Sequence, residues 1–493
     1  MKRTTLKQLA AFCGGEYLGS HPRRTVDAVV TDSRKAVKGG AFLALKGENF
    51  DGHAFVGKAL AGGAVCAVVD DVDGARAGKY GDNAILVKDT LAAYADIAAG
   101  VMARDFPKTR RIAVTGSVGK TSTKELTHAV LASAFRAEKT AANHNNEVGL
   151  PQTVLALPLD TEIFVAEMGM RGFGQIQYLE HIVHPEAAII TTIGNAHLEL
   201  LGSRENILKA KMEVCLGGAR LPANKPFRLI VNGDCNLLKD RAKLREIAAG
   251  YGCRNIEIIT FGQDAACDYR ATEVISGEHG INYLLVSREG NCHVDLPLPG
   301  EHNVYNSMAA IAAGALFGIA PEDAVVAMRA YAETNSGVNS LRQRTVRLAG
   351  GRITLMDDAY NAGPESMPAS LKVMAGFTAD KHIAALGDMV ELGPRSPEFH
   401  LEVGRIAAGY CDRIFTVGEK AKAYVTGFDA AVKTRGKAVK FAESFDTTDD
   451  AYEAVKAYID RELAAGHTVA ILVKGSHIMH MGHISARLEE DYK

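Results

Sequence analysis

The chain has 493 residues, of which 47% are hydrophobic and 23% are charged, and its formal net charge is -2. At roughly 100 to 200 residues per domain, this length predicts about three domains. The near balance of 56 basic and 58 acidic residues excludes an overall field that would hold a nucleic acid or an anionic membrane. Any anionic ligand must therefore be bound by a local site.

The cysteines and the N-terminus both indicate a cytoplasmic protein. The eight cysteines include no C-x-x-C pair, which argues against a zinc site or a redox dithiol. Lys7 and Gln8 interrupt the apolar run of the N-terminus, so an amphipathic first helix is predicted rather than a signal peptide. The longest apolar stretch, residues 308–320, is shorter than the roughly 20 residues that a membrane span needs. It predicts a buried helix.

Short apolar runs alternate with helical patterns along most of the chain, which predicts βαβ units around parallel sheets. Examples are RIAVTG, EIFVAEMG and AAIITTIG in the middle of the chain, and RITLMDD, HIAALGD and VAILVKGS towards its end. Most of these runs end in Gly, Asp or Glu, so polar groups collect at the carboxyl edges of the strands, where open α/β sheets bind ligands. Residues 282–300 instead alternate and turn like an antiparallel insertion.

Two polar stretches, ARDFPKTRR and ETNSGVNS, mark domain boundaries. They divide the chain into residues 1–108, 109–335 and 336–493. The expected fold class is α/β. The central domain is expected to carry a phosphate loop on a parallel sheet, the C-terminal domain to be Rossmann-like, and the N-terminal domain to be a smaller α/β unit.

The stretch AVTGSVGKTSTKE, residues 113–125, joins a predicted strand to a predicted helix through a glycine loop. It is a variant of the usual Walker pattern, because Val114 stands where that spacing places the first glycine. Small residues let backbone N–H groups turn inward, and the helix N-terminus adds partial positive charge. Lys120 is placed to reach the β and γ phosphates, and Thr121 to offer its hydroxyl to Mg²⁺. The stretch predicts a phosphate-binding loop.

Phosphoryl transfer also needs a metal, whose ligands should lie at the same edge of the sheet. Glu167 ends the strand TEIFVAE and is a candidate ligand of Mg²⁺. His197 follows the strand AAIITTIG. Alone it is more typical of a packed loop histidine, but together with the glycine loop and Glu167 it is a second candidate.

Seven segments, found in the second and third parts of the chain, together resemble the Mur ligases, the ATP-dependent enzymes that add amino acids to the peptide of the bacterial cell-wall precursor. In chain order they are TGSVGKTSTKE, NHNNEVGLP, AEMGM, AHLE, AKMEV, GEHNVYNSMAA and DDAYNAGPESM. TDSRKAVKGGAFLALKGENFDGH, DDAYNAGPESM and GDMVELGPRSPEFHLEVG are similar to the family member that joins D-alanyl-D-alanine to UDP-N-acetylmuramoyl-tripeptide. The resemblance implies an amide-forming ligase that makes the pentapeptide precursor of peptidoglycan through an acyl phosphate.

The resemblance also implies the cofactors and their residues. It implies ATP, Mg²⁺ and CO₂, the last as a carbamate on a lysine. Metal ligands are implied at Thr121, Glu167, His197 and carbamylated Lys211. Catalytic roles are implied for Lys120, Lys211, His197 and Arg342. ATP contacts are implied for Thr115, Gly116, Ser117, Val118, Gly119, Lys120, Thr121, Asn303, Asn306, Arg342 and Asp358.

For the substrates, the resemblance implies that Asp32, Ser33 and Arg34 hold the uridine diphosphate end. Asn145 and Asn146 are implied to lie near the reacting centre. The partners expected are UDP-MurNAc-tripeptide and D-alanyl-D-alanine, with no nucleic acid and no membrane span, and the protein is expected to be a monomer. Simpler interpretations exist for single motifs: DSR is also typical of a surface turn, and LRQR of a basic surface patch.

Several positions depart from the family pattern or allow a second interpretation. Val118 stands where many relatives have asparagine, while His477 and Gly482 stand where arginine and glutamate are expected. The last two put in doubt the details of the site for the incoming dipeptide. Arg344 is an alternative to Arg342 for the arginine that approaches the phosphate. Asn303 is also typical of a helix cap.

Three alternative functions are weighed against the sequence. A folylpolyglutamate synthetase-like ligase should lack the N-terminal DSR domain and the GDMVELG segment, and this chain has both. The ligase that adds the third residue of the same precursor should carry a DNPR-type stretch in its last domain, and this chain has none. A binding or regulatory protein that had lost catalysis would have no need to retain Lys120, Glu167 and Lys211.

Overall fold

The computed structural model describes residues 1–35, 38–47, 50–335, 343–435 and 441–493. Its elements form three successive α/β units, each around a mainly parallel sheet. The predicted three-domain α/β fold class is confirmed. Among the described helices, none is long and apolar enough to cross a membrane.

The N-terminal unit consists of short elements. They are β1 (Thr4–Thr5), α1 (Leu6–Phe12), β2 (Glu16–Tyr17), β3 (Thr25–Val26), β4 (Val29–Val30), β5 (Ala41–Leu43), α2 (Val56–Ala61), β6 (Cys66–Val69), α3 (Val72–Arg76), β7 (Ala84–Leu86) and α4 (Thr90–Asp105). Its main sheet has the order β2-β7-β6-β5-β4, in which only β2 is antiparallel to its neighbour. The predicted first helix begins with a capping box, in which Thr5 and Gln8 bond each other's backbone N–H groups.

The central unit is the largest. Its elements are β8 (Arg110–Thr115), α5 (Lys120–Ala132), β9 (Ala137–Lys139), α6 (Gly149–Ala156), β10 (Ile163–Glu167), α7 (Gln175–Val183), β11 (Ala187–Ile190), α8 (Leu198–Leu201), α9 (Arg204–Met212), α10 (Leu216–Ala219), β12 (Phe227–Asn232), α11 (Arg241–Gly250), β13 (Ile256–Gly262), β14 (Tyr269–Gly277), β15 (Gly280–Ser287), β16 (Gly290–Leu296), α12 (His302–Ala315) and α13 (Pro321–Asn335). The predicted buried helix is α12, which ends at Ala315 rather than at residue 320.

The nine-stranded central sheet has the order β16-β15-β14-β13-β12-β11-β8-β10-β9. Strands β9 to β14 are parallel to β8. Strand β15 pairs antiparallel with both β14 and β16, as predicted for residues 282–300. Successive side chains of a strand point to opposite faces. Accordingly, Ile112 and Val114 pack under α5 and α12, while Ala113 joins a second core shared with α1 and α4.

The C-terminal unit has a six-stranded sheet. Its elements are β17 (Arg344–Leu348), β18 (Ile353–Asp358), α14 (Ser366–Ala375), β19 (Lys381–Gly387), α15 (Ser396–Tyr410), β20 (Arg413–Val417), α16 (Lys422–Arg435), β21 (Phe441–Phe445), α17 (Thr448–Ala464), β22 (Val469–Lys474) and α18 (Gly482–Asp491). The strand order is β17-β18-β22-β19-β20-β21, with only β17 antiparallel. Short 3₁₀ turns along the chain are Ser33–Lys35, Gly52–Phe55, Gly81–Asn83, Glu213–Cys215, Ala349–Gly351, Gly393–Arg395 and His477–Met479.

The order of the central strands determines where the site lies. Strand β8 lies between β10 and β11, and Glu167 at the end of β10 pairs with Val114. The connections that leave β10 and β11 therefore flank the glycine loop that follows β8. This is the crevice at the carboxyl edge where open α/β sheets bind ligands.

Candidate active site

A cavity of about 520 Å³ lies between the glycine loop, the start of α12 and the C-terminal unit. Residues that line it include Ser117, Val118, Gly119, Lys120, Thr121, Asn303, Asn306, Asp358, Glu365 and Lys474. The structure thus brings the predicted loop together with two asparagines and an aspartate that lie about 190 and 240 positions further along the chain.

The glycine loop needs glycine at two positions. Gly116 has φ 148° at the end of β8, directly after Thr115, and a Cβ there would lie 1.9 Å from Oγ1 of Thr191. Gly119 has φ 85°, and a Cβ there would lie 2.9 Å from Oδ1 of Asn306. Both are left-handed or close-contact conformations that only glycine adopts without strain. The loop therefore follows directly from its sequence.

The loop is also held by β11 and by its own lysine. Thr191 donates its hydroxyl to the carbonyl of Val118 at 2.5 Å, and the Ser117 amide donates to the Thr192 carbonyl at 2.9 Å. Nζ of Lys120 donates to the Gly116 carbonyl at 2.9 Å. The ammonium group therefore lies over the loop, next to the cavity.

Glu167 lies beside the loop with one oxygen poorly satisfied. Its Oε1 accepts from Oγ1 of Thr121 at 3.2 Å and from Nδ2 of Asn145 at 2.7 Å. Its Oε2 is buried and has no hydrogen-bond partner among the described residues, although Nζ of Lys124 lies 3.6 Å away. A buried carboxylate oxygen next to a hydroxyl suits a divalent cation that prefers oxygen ligands. The residues present therefore fit Mg²⁺.

Lys124 has no predicted role in the sequence, although it lies within the phosphate-loop motif. Its side chain is fully buried and donates to the carbonyls of Thr140 and Ala142 at 3.0 and 3.2 Å. It places a positive charge behind Glu167 and fixes the connection between β9 and α6. The sequence hints at a role for Lys124 through its position in TSTKE, directly after the glycine loop. Helix periodicity does not distinguish this buried lysine from a solvated one.

His197 directly precedes α8 and has a left-handed conformation, with φ 64°. Its Nδ1 lies 2.5 Å from Oε2 of Glu391, which comes from the C-terminal unit. This hydrogen bond, with the nearby charge of Arg171, holds the pKa of the Glu391 carboxyl below its usual value despite partial burial. Sequence reasoning assigned no role to Glu391, although it lies in the matched GDMVELG segment.

Lys211 lies on α9 and is almost completely buried. Burial, together with the nearby charge of Lys120, lowers the pKa of its amine well below the ordinary value. No carboxylate among the described residues forms an ion pair with it. A lowered pKa favours the neutral amine, which is the form that reacts with CO₂, so the site fits a carbamate that would balance the charge of Lys120.

The residues predicted to contact the nucleotide are held by hydrogen bonds on two sides of the cavity. Nδ2 of Asn306 donates to Oδ1 of Asn303 at 3.0 Å, and the Thr123 hydroxyl donates to Oδ1 of Asn306 at 3.1 Å. Helix α12 begins at His302, so the interpretation of Asn303 as its cap is wrong. Nζ of Lys474 donates to the buried Asp358 at 2.5 Å.

Comparison with known proteins gives three family matches along the chain. Residues 25–101 match the Mur ligase family catalytic domain, residues 114–314 the Mur ligase middle domain, and residues 342–477 the glutamate ligase domain of Mur ligases. The chain is 39% identical, over 85% of its length and 86% of the relative's, to UDP-N-acetylmuramoyl-tripeptide--D-alanyl-D-alanine ligase of Bacillus subtilis. The chain belongs to the Mur ligase family.

Two further matches extend over almost the whole of this Mur ligase. The enzyme of the same name from Escherichia coli is 35% identical, over 100% of this chain and 99% of the relative. A crystal structure of MurF from Acinetobacter baumannii superposes with a TM-score of 0.85 at 31% identity and covers 99% of both chains. The likeness therefore includes all three units.

Other predicted residues of this Mur ligase lie outside the cavity. Asp32, Ser33 and Arg34 form a local turn, in which Nε of Arg34 donates to Oδ1 of Asp32 at 3.0 Å and the arginine is mostly exposed. Asn146 accepts from the Gly149 amide at 2.8 Å and so caps the start of α6, whereas Asn145 lies at Glu167.

His477 and Gly482, two of the departures from the family pattern, lie in the C-terminal unit of this Mur ligase. Arg342 lies outside the described residues. The alternative, Arg344, pairs with Glu489 and Asp357 within the C-terminal unit. His477 and Gly482 line a second, separate cavity of about 450 Å³, which also contains His480 and His483.

Proposed function

We propose that this Mur ligase joins D-alanyl-D-alanine to UDP-N-acetylmuramoyl-tripeptide at the expense of ATP, and so makes the pentapeptide precursor of peptidoglycan. The names of the Bacillus subtilis and Escherichia coli relatives support this reaction. The observation that carries the proposal is the cavity itself, which combines a phosphate loop, a carboxylate beside it and polar groups from the C-terminal unit.

The first step activates a carboxylate, which is otherwise a poor acyl donor. An oxygen of the terminal carboxylate attacks the γ phosphorus of ATP, the bond between that phosphorus and the β–γ bridging oxygen breaks, and ADP leaves. Lys120 and the backbone N–H groups at the N-terminus of α5 stabilise the charge on the transferred phosphoryl group. Asn303, Asn306 and Asp358 hold the nucleotide, and Arg342 approaches the phosphate.

We assign the metal sites to four residues. Thr121 and Glu167 would hold one Mg²⁺, and His197 with carbamylated Lys211 would hold a second ion. Mg²⁺ bound there supplies positive charge to the phosphate oxygens. Two observations support this assignment: Oε2 of Glu167 is buried and has no hydrogen-bond partner among the described residues, and the amine of Lys211 is buried.

In the second step the amine of D-alanyl-D-alanine attacks the acyl carbon, the carbon–oxygen bond to phosphate breaks, and inorganic phosphate leaves with formation of the amide. Water would destroy the acyl phosphate, so the site must exclude it. The cavity lies between the central and C-terminal units, and their approach provides that exclusion.

We assign these roles to domains with the predicted boundaries. Residues 1–108 bind the UDP end of the substrate through Asp32, Ser33 and Arg34. Asn145 and Asn146, which belong to the central domain, lie near the reacting centre. Residues 109–335 bind ATP, and residues 336–493 receive the dipeptide. We further propose a cytoplasmic monomer. Matches to three successive family domains support the division.

The decisive measurement is phosphate release from ATP with UDP-MurNAc-tripeptide, with and without D-alanyl-D-alanine. We expect release only with both substrates, and loss of release in Lys120→Ala. Parallel reactions with UDP-MurNAc-dipeptide and diaminopimelate, and with a folate and glutamate, test the two alternative ligases. Release that is independent of D-alanyl-D-alanine, or turnover of either alternative pair, would contradict the proposal.

A further inference from the structure

Residues 193–199, here called the histidine loop, are held by two carboxylates of the C-terminal unit. Oε1 of Glu365 accepts from the backbone amide of Asn195 at 2.8 Å and from its Nδ2 at 2.6 Å. Oε2 of Glu391 contacts Nδ1 of His197 at 2.5 Å. The loop between β11 and α8 is therefore a direct contact between the central and C-terminal units.

The histidine loop also contacts the phosphate loop. The amide of Gly194 donates to the Ser117 hydroxyl at 2.9 Å. A Cβ added at Gly194 would lie 2.7 Å from the carboxyl carbon of Glu365, so a side chain at this position would displace the Glu365 carboxylate. The position of one short loop thus depends on the phosphate loop on one side and on the C-terminal unit on the other.

Both partners of the histidine contact have unusual backbones. His197 has φ 64° and Glu391 has φ 62°, a left-handed region that costs free energy for residues other than glycine. The segment before Glu391 is held rigidly, because the Met389 amide donates to Nε2 of His400 at 3.0 Å and the Val390 amide donates to the Ser476 hydroxyl at 3.1 Å. Because these hydrogen bonds hold the segment before it, Glu391 has its carboxylate at a defined position.

We propose that Glu391 is a positioning residue: by accepting a hydrogen bond from Nδ1–H of His197, it fixes the ring and leaves Nε2 as the unprotonated nitrogen for the metal, but only while the C-terminal domain is docked. Histidines that bind metals usually donate their other ring N–H to a carboxylate or a carbonyl. Here that carboxylate comes from another domain, so docking completes the metal site. The inference rests on the proposed role of His197 as a metal ligand.

The first experiment measures Mn²⁺ binding to the full chain with a non-hydrolysable ATP analogue, by electron paramagnetic resonance. We expect Glu391→Ala to weaken one class of Mn²⁺ site by about 10- to 100-fold, which is typical for outer-shell partners, and to leave the other class unchanged. Glu391→Gln keeps an acceptor oxygen and should retain most of the affinity. Glu402→Ala, on the surface of α15, is the matched control.

The second experiment reads the ring directly. In protein labelled with ¹⁵N-histidine, and assigned with His197→Gln, we expect the Nδ1–H tautomer in the wild type and in Glu391→Gln, and a mixture of tautomers in Glu391→Ala. Both experiments need no substrate turnover, so they remain informative if the ligase assay fails.

Unchanged Mn²⁺ affinity and an unchanged tautomer in Glu391→Ala would overturn the proposal, and so would equal losses in the Gln and Ala variants. If Glu391→Ala does not fold, Gly194→Ala tests the same coupling, because its Cβ pushes Glu365 away while Glu391 stays intact. A normal tautomer with full Mn²⁺ affinity in Gly194→Ala would then show that docking does not control His197.

Discussion

Lys211 carries the residue-scale prediction, because it is buried and forms no ion pair with a carboxylate among the described residues. Burial and the charge of Lys120 keep the pKa of its amine low, and a neutral amine can add CO₂ whereas an ammonium cannot. We predict that protein equilibrated with ¹³C-bicarbonate shows a carbamate signal in ¹³C NMR that Lys211→Ala lacks. Ligase activity of Lys211→Ala should fall by at least about 100-fold, the upper range for groups that support a metal site, and bicarbonate should not restore it.

The matched control for this prediction is Lys209→Ala, which removes an exposed lysine from the same helix. It should keep both the carbamate signal and the activity. Full activity in Lys211→Ala would exclude the carbamate from catalysis, and a wild-type protein without the ¹³C signal would exclude the modification itself.

On the scale of an element, helix α7 contains a buried carboxyl group whose pKa differs from its ordinary value. The side chain of Glu180 is fully buried; its Oε1 accepts from Nη1 of Arg220 at 3.3 Å, and its Oε2 has no hydrogen-bond partner among the described residues. Burial raises the pKa of Glu180 to about 7, although Arg220 opposes the shift. Between the ordinary pKa of 4.5 and about 7, the folded protein therefore holds a proton that the unfolded chain has released.

This difference makes stability depend on pH. The protonation of Glu180 contributes about 3 kcal/mol to the free energy of unfolding, at 1.36 kcal/mol per pKa unit. This contribution is complete below about pH 4.5, falls as the pH rises and is lost above about pH 7. We predict that Glu180→Gln is more stable than the wild type at pH 8 by up to this amount and almost equal to it at pH 5. Urea unfolding at the two pH values measures this, with Glu246→Gln on the surface of α11 as control. A variant less stable at pH 8 would contradict it.

On the scale of the whole molecule, a contact outside the site joins the central unit to the C-terminal unit. Glu278 lies at the tip of the hairpin between β14 and β15, and accepts from Nη2 of Arg347 at 2.5 Å and from the amide and hydroxyl of Thr378 at 3.1 Å each. The antiparallel insertion of the central unit therefore docks on two segments of the C-terminal unit. The docked arrangement is what brings Asp358 and Lys474 to the phosphate loop.

We predict that Glu278→Ala loosens this docking without unfolding the protein. The radius of gyration from small-angle X-ray scattering should rise, and KM for D-alanyl-D-alanine should increase by about tenfold, the equivalent of about 1.4 kcal/mol for charged hydrogen bonds. Glu246→Ala serves as the surface control. Unchanged scattering together with an unchanged KM would show that the hairpin does not stabilise the docked state.

The sequence by itself determined the elements and the phosphate loop, because both depend on local properties. Alternating apolar runs predict the strands, and the conformations of Gly116 and Gly119 need glycine at those two places. The motifs and their order along the chain were sufficient to identify the family. Thr121 and Glu167 also meet as predicted, since adjacent parallel strands end at the same edge.

Only the tertiary structure decided the contacts between domains and the environment of single side chains. Glu391 contacts His197 across 194 positions of sequence, and Glu365 contacts Asn195 across 170. Neither separation leaves a periodic pattern, because the contact depends on how two independently folded sheets dock. The burial of Lys211 is equally invisible in a helix of mixed polarity, since it comes from what packs against that helix and not from the helix itself.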